Sequence, residues 1–348
     1  MDIQDKINAF DPNGMGDLNG NIYGLPFSCS DAKLVIIPVP WEVTVSYQDG
    51  TARAPEAILE ASYQVDLYDP FVADAWKLGL AMQEIHQDIK GKSDSLRQKA
   101  TEYIDKLSQG FRTEEDEKQG EILNQINQAG HELNNWLQEE SAVLLKKNKI
   151  VAVLGGDHST PLGLIQALAE RNPSFGILHI DAHADLREAY EGFEFSHASI
   201  MYNAIKIPQI THLVQLGIRD YCEAELNLIQ SDKRISTFFD RDIKHRFYAG
   251  ENWSAICEQM IELLPENVYV SFDIDGLDPK LCPNTGTPVP GGLEFEQTLY
   301  LVELLVKSGR KIIGFDLNEV APGTDEWDAN VGARLLYRLA NMCLVSNQ

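Results

Sequence analysis

Six residues stand out by type and spacing. Asp181, His183 and Asp185 lie two apart, as do Asp273 and Asp275, and His158 sits in the segment Gly155-Gly156-Asp157-His158-Ser159. In extended chain, residues two apart project to the same side. Donors crowded at one strand end repel each other unless cations offset their charge. Four carboxylates and two imidazoles, with no thiolate, suit Mn²⁺ better than zinc, and four carboxylates neutralise two dications. Two such ions lower the pKa of water from ~15.7 toward ~7, which supplies hydroxide near neutral pH. The chemistry is that of a hydrolase. Taken singly, Asp157 or Asp181 needs no more explanation than a helix cap. The whole set at neighbouring strand ends is too costly for that reading.

The elements that must position these residues are legible around them. Apolar runs Leu34–Val39, Ile150–Leu154, Phe175–Ile180, Leu213–Leu216, Val268–Phe272 and Lys311–Phe315 alternate with helical segments such as Pro161–Glu170 and Glu296–Lys307. Pro55 opens a further helix through Ala57, Ile58 and Ala61. Strands apolar throughout and separated by amphipathic helices predict a three-layer α/β/α fold with a mainly parallel central sheet. In such sheets ligands bind beyond the carboxyl ends of the strands. Four of these strands end in Gly155–Ser159, Asp181–Asp185, Asp273–Asp275 and Asn318-Glu319, so all four clusters should meet in one crevice.

Residues 84–149 differ in character. Leu96, Ala100, Ile104 and Leu107 have helical spacing, with Gly110 as a stop. Thr113 and Asp116, with Glu114 and Glu115, resemble the start of a second helix that carries Ile122, Ile126, Ala129, Leu133 and Leu137 on one face. Lys146, Lys147 and Lys149 suit its negative end. This helical pair, packed on the main domain or on another subunit, offers no chemistry of its own. Residues 1–31, rich in Asp, Asn and Gly, read as an irregular lead-in. The expected organisation is one α/β domain over residues 1–348, with 84–149 inserted in it.

Bulk composition excludes several classes. Lys plus Arg is 29 and Asp plus Glu is 53, so the net charge is 29 − 53 = −24. Nucleic acid and anionic membrane would both be repelled. The five cysteines are far apart with no Cys-x-x-Cys spacing, so neither disulfides nor a structural zinc site is indicated. No signal-type segment opens the chain, and nowhere do ~18 apolar residues run together. The expected location is the cytoplasm.

The segments Gly-Gly-Asp157-His158-Ser, Asp181-Ala-His183-Ala-Asp185 and Ser271-Phe-Asp273-Ile-Asp275-Gly-Leu-Asp278-Pro resemble the three signatures of the ureohydrolase (arginase/agmatinase) family, in the family's order. The similarity runs in stretches from about Ile36 to the C-terminus. It includes Gly50, Arg53 and Pro55 and the loop Thr285-Gly-Thr-Pro…Gly291-Gly292. It implies an arginase-like fold and a site assigned residue by residue. His158 and Asp185 would hold one metal, His183 and Asp275 the other, and Asp181 and Asp273 would bridge them. Asp185 would also take part in catalysis by accepting a hydrogen bond from the hydroxide. His197, in Phe195-Ser-His197-Ala-Ser, matches the proton-transfer histidine, and Glu319 matches the carboxylate that pairs with a substrate guanidinium. A homo-oligomer, trimer or hexamer, is implied as well.

Those roles make chemical sense. A guanidinium is a poor electrophile that a carboxylate can orient through two hydrogen bonds. The departing amine needs a proton, which a histidine near its ordinary pKa of ~6.5 can deliver. For the substrate, Arg187–Ser196 resembles agmatinase-type sequences. Glu188, Glu191 and Glu194 would suit a cationic tail if they face the pocket. Agmatine, giving urea and putrescine, is the first expectation; free guanidine, arginine, another guanidino acid and formiminoglutamate are alternatives, and an unusual substrate could accompany Ni²⁺. A two-metal phosphatase is disfavoured by the absence of a Gly-Asn-His-Glu element, and a non-catalytic paralogue by the presence of every ligand. Without the resemblance, His197 would be an incidental loop histidine and Glu319 a structural ion pair. His179 is expected to point away from the metals and serve packing or support of the ligands. Trp327 and Asp328 line the pocket or form a surface turn. His86, His131, His212 and His245 receive no role.

Overall fold

Apolar β-branched runs bounded by turns make eight strands of one sheet. The computed structural model describes residues 2–18, 20–112 and 116–348. The strands are β1 (Leu34–Val39), β2 (Leu80–Met82), β3 (Ile150–Gly155), β4 (Phe175–Ile180), β5 (Ile210–Leu216), β6 (Ile235–Phe238), β7 (Asn267–Asp273) and β8 (Lys311–Asn318). They lie in the order β2-β1-β3-β8-β7-β4-β5-β6, and every pairing is parallel. The strands that carry the polar clusters, β3, β8, β7 and β4, are therefore the four adjacent strands at the centre. Register completes the alignment. Asp273 pairs with Asn318, and Ile180 pairs with Phe272, so one step further Asp181 stands beside Asp273.

Helices flank the sheet to make the three-layer arrangement: α1 (Ile3–Ala9), α2 (Ala54–Ser62), α3 (Gln87–Ser108), α4 (Glu117–Lys146), α5 (Leu162–Ala169), α6 (Ile200–Ala204), α7 (Glu223–Ser231), α8 (Asp240–Tyr248), α9 (Trp253–Glu262), α10 (Phe295–Lys307) and α11 (Trp327–Ser346). The central strands are buried along nearly their whole length, which explains their uninterrupted apolar character. Helix α11 packs on α2, α10 and β8, and α4 lies on α5.

The structure revises the sequence reading at both sheet edges. Strands β2 and β6 were not legible because β2 has only three residues and β6 is half-exposed along Ser236–Phe238. The lead-in is not wholly irregular. Asp2 caps α1 through the amide of Asp5, and Asn21 pairs with the backbone of Met82, which ties the lead-in to edge strand β2. Asp116 caps α4 by accepting from the amide of Lys118, whereas Thr113, Glu114 and Glu115 lie outside the described residues. Lys149 spends its charge on the carbonyls of Ser30 and Ala32.

The α4–α5 seam depends on apolar burial. Leu137 of α4 is fully buried where it meets Gly163 of α5. Leu137→Ala should lower the free energy of unfolding by ~2–5 kcal/mol, read as a shift of the urea midpoint. An unchanged midpoint would mean that α4 is not part of the cooperative core.

Candidate metal centre

The end of β3 is shaped by close backbone approach. Gly156 lies so near Trp41 that an added Cβ would fall 1.8 Å from the Trp41 carbonyl oxygen. Its own carbonyl accepts from the amide of Glu319, 2.9 Å away. No other residue fits there, and the packing turns the chain so that His158 enters the crevice. Asp157 does not enter it. Its Oδ1 accepts from the amide and hydroxyl of Ser159, the local cap that the simpler reading allowed, and burial pushes its carboxyl up to about 6.

Three carboxylates converge on one imidazole nitrogen. His158 Nδ1 lies 3.1 Å from Asp181 Oδ2, 3.1 Å from Asp185 Oδ2 and 3.3 Å from Asp273 Oδ2. On its other side, Ser271 Oγ donates to Asp316 Oδ1 at 3.1 Å and so is free to accept from His158 Nε2 at 2.9 Å. That contact holds the ring with Nε2 toward Ser271 and Nδ1 toward the carboxylates. A single proton on Nδ1 could serve one oxygen, not three. A second group shares Asp181: His183 Nδ1 lies 3.1 Å from Asp275 Oδ2 and 3.5 Å from Asp181 Oδ1. Asp275 Oδ2 is buried and faces that imidazole.

The electrostatics have the same character. Burial opposes charge on several members of the cluster. It raises the Asp185 carboxyl to about 6 with help from Asp181, and it raises Asp273 well above the usual carboxylate range with help from Asp275 and Asp181. Glu319 is raised by burial and by Asp157. Asp181 is held well below the usual range despite burial, because His179, His158 and His183 surround it. Burial lowers His158, but its carboxylate partners outweigh this and carry it well above the ordinary value. Three carboxylates crowded on one imidazole nitrogen and the mutual repulsion of buried carboxyls are together what a pair of cations would resolve. These oxygen and imidazole donors fit divalent ions of the Mn²⁺ type. Thiol chemistry is not offered, since Cys282 donates its Sγ–H to the Ile274 carbonyl and burial raises its pKa.

His183, Asp185 and His197 border a cavity of about 120 Å³, together with Ser46, Tyr190 and Thr287. Thr44 Oγ1 accepts from the amide of His197 at 3.1 Å and lies 3.5 Å from its Nδ1. The expectation of an ordinary pKa for His197 is not met: burial, then the positive charge of His183, His158 and Arg97, push it down to about 3. Glu319 lies deeper than the cavity wall, with Oε1 accepting from the amide of His158 at 2.8 Å. Asp185 and Glu319 both adopt left-handed backbone, at φ 54° and 61°. Such conformations cost about 1–3 kcal/mol in a non-glycine residue and tend to mark functional sites.

Several expectations change. His179 does not point away; its Nε2 lies 2.8 Å from Asp181 Oδ2, and Gln215 Nε2 donates to its Nδ1 at 3.0 Å. The two-residue spacing that aligns Asp181 with His183 also aligns His179 with Asp181, so the signal was present. Glu188, Glu191 and Glu194 are not among the cavity-lining residues. Glu188 is exposed near Tyr202, and Glu194 lies 3.6 Å from His131. Asp220, Glu225 and Arg187 take their place on the wall. Trp327 is a surface residue bonded to the Lys280 carbonyl, while Asp328 is buried and holds Asn284. The supporting residues Ser271, Asp316 and Gln215 were missed because nothing but three-dimensional proximity marks them.

The profile of the arginase family matches residues 32–341. An N(1)-aminopropylagmatine ureohydrolase of Thermus thermophilus is 31% identical over 307 residues, which span 88% of this chain and 89% of that protein. The agmatinase of Bacillus cereus is 27% identical over 301 residues, 86% of this chain and 88% of that one. The crystal structure of the agmatine ureohydrolase of Thermoplasma volcanium shares the fold, with a TM-score of 0.70 at 21% identity over 98% of this chain and 97% of that chain. The chain belongs to the arginase family and is a ureohydrolase, a hydrolase of the C–N bonds of linear amidines.

Proposed function

We propose that the protein releases urea from a guanidino compound with a cationic tail, agmatine first, at a centre of two divalent ions, Mn²⁺ before Ni²⁺. The observation that carries this reading is the convergence of Asp181, Asp185 and Asp273 on His158 Nδ1 beside the Asp181–His183–Asp275 group. In this assignment His158 and Asp185 would hold one ion and His183 and Asp275 the other, with Asp181 and Asp273 as ligands shared by the two. When bound, the ions supply hydroxide at neutral pH by lowering the pKa of water toward ~7.

The side chains would do the rest. Glu319, fixed by the His158 amide, orients the guanidinium. Asp185 accepts a hydrogen bond from the attacking oxygen. His197 borders the same cavity. It would relay the proton of the attacking hydroxyl to the departing amine, so that an N–H bond forms as the C–N bond breaks. The names of the T. thermophilus and B. cereus relatives support a cationic tail. So does the wall: Asp220 and Glu225 face the cavity, while Arg187 lies over the Tyr190 ring with Glu225 at 3.7 Å. Arg187 is also the observation that favours a second reading, a guanidino acid whose carboxylate would pair with it.

Two outcomes test this. Urea release should be highest for agmatine and at least about 100-fold lower in kcat/KM for arginine, whose carboxylate meets the acidic wall. Preference for guanidinobutyrate, abolished by Arg187→Ala, would establish the guanidino-acid reading instead. Second, His179→Ala should weaken Mn²⁺ binding about 10–100-fold by freeing Asp181, measured by calorimetric titration. Unaltered affinity would contradict the place given to Asp181 in the centre.

A further inference from the structure

The segment that carries His197 is gripped by the helical pair. Asn127 of α4 donates to the Gly192 carbonyl at 3.2 Å and accepts from the Glu194 amide at 2.9 Å. Phe193 is fully buried, its ring 5.4 Å from that of Tyr103 on α3. Phe195 packs edge-on against His131 at 4.5 Å and rests on Gly130, where an added Cβ would lie 2.9 Å from its ring. The seam between these groups leaves a void of only about 10 Å³. From α3, Arg97 donates to the carbonyls of Val43 and Val45. These flank Thr44, whose hydroxyl accepts from the His197 amide. Two separate contacts from the pair thus end on the same histidine, one through residues 192–195 and one through Thr44.

We propose that the α3–α4 pair positions His197, with Asn127 and Arg97 as positioning residues that act through it. The proposal rests on the reading of His197 as the proton relay. A loop histidine left to itself samples many placements, and a displacement of ~1 Å at a reacting group costs about 100-fold in rate. A pair of hydrogen bonds to neighbouring loop backbone groups, backed by two aromatic anchors, removes that freedom before substrate arrives.

The test compares Asn127→Ala, His197→Asn and the double variant in the Mn²⁺-loaded enzyme. Asn127→Ala should lower kcat about 10–100-fold with KM changed less than about 2-fold. Deuterium exchange at the Glu194 amide and across 190–197 should accelerate, while helices distant from the pair stay protected. In the His197→Asn background the same substitution should cost less than about 2-fold, because its target is already gone. If Asn127→Ala does not fold, Gly130→Ala replaces it. Alanine favours the helix, yet its methyl displaces Phe195, and the same kcat and exchange changes are expected. Unchanged kcat and exchange in the variant, or a full loss that persists without His197, overturns the proposal. Full activity of His197→Asn alone refutes the relay reading instead, and the exchange data then still report whether the clamp exists.

Discussion

Four aspartates buried at the ends of neighbouring strands repel one another, and the fold holds them together. Burial raises the energy of every charge placed there. Hydrogen bonds settle only part of the conflict: backbone amides serve Asp181 and Asp273, and His179 serves Asp181. Three carboxylate oxygens still crowd one His158 nitrogen, and a divalent ion would offset their charge. Asp185 and Glu319 both hold left-handed backbone beyond the carboxyl ends of β4 and β8.

That concentration is possible because the sheet is parallel and its strand order is not sequential. Chain order would separate β3 from β8, yet they are neighbours, and β7 lies between β8 and β4. Four carboxyl-terminal strand ends therefore open side by side. The supporting contacts arise from the same alignment. His179 pairs with Ser271, and Ser271 with Asp316, across three adjacent strands, so one row of side chains orients both His158 and Asp181.

The fold and the cluster were largely legible in the sequence, and for a physical reason. Central strands of a parallel sheet are buried on both faces and read as uninterrupted apolar runs, and each ended at a polar group. Short edge strands β2 and β6 carry no such signal. Two-residue spacing brought Asp181, His183 and Asp185 together, and it applied to His179 as well. The wall of the cavity was not legible. Glu188, Glu191 and Glu194 looked suited to a cationic tail, but the segment after Asp185 turns through left-handed Glu191 and Gly192 to anchor on α4. Asp220 and Glu225, distant in sequence, line the cavity instead. Pairing across loops leaves no pattern in a single chain.

The helical pair, which carries no chemistry of its own, acquires a place in this scheme through the segment it grips. The strand ends carry the six donors and the helices grip the segment that carries His197, so the two sides of the site are held by different parts of the chain. The proposed function requires a pair of cations between the six donors, and anomalous diffraction from crystals grown with MnCl₂ would reveal it. Two peaks per chain are expected, one beside His158 and Asp185 and one beside His183 and Asp275, both in contact with Asp181 and Asp273. A single peak, or none within reach of Asp181, would contradict a shared two-ion centre.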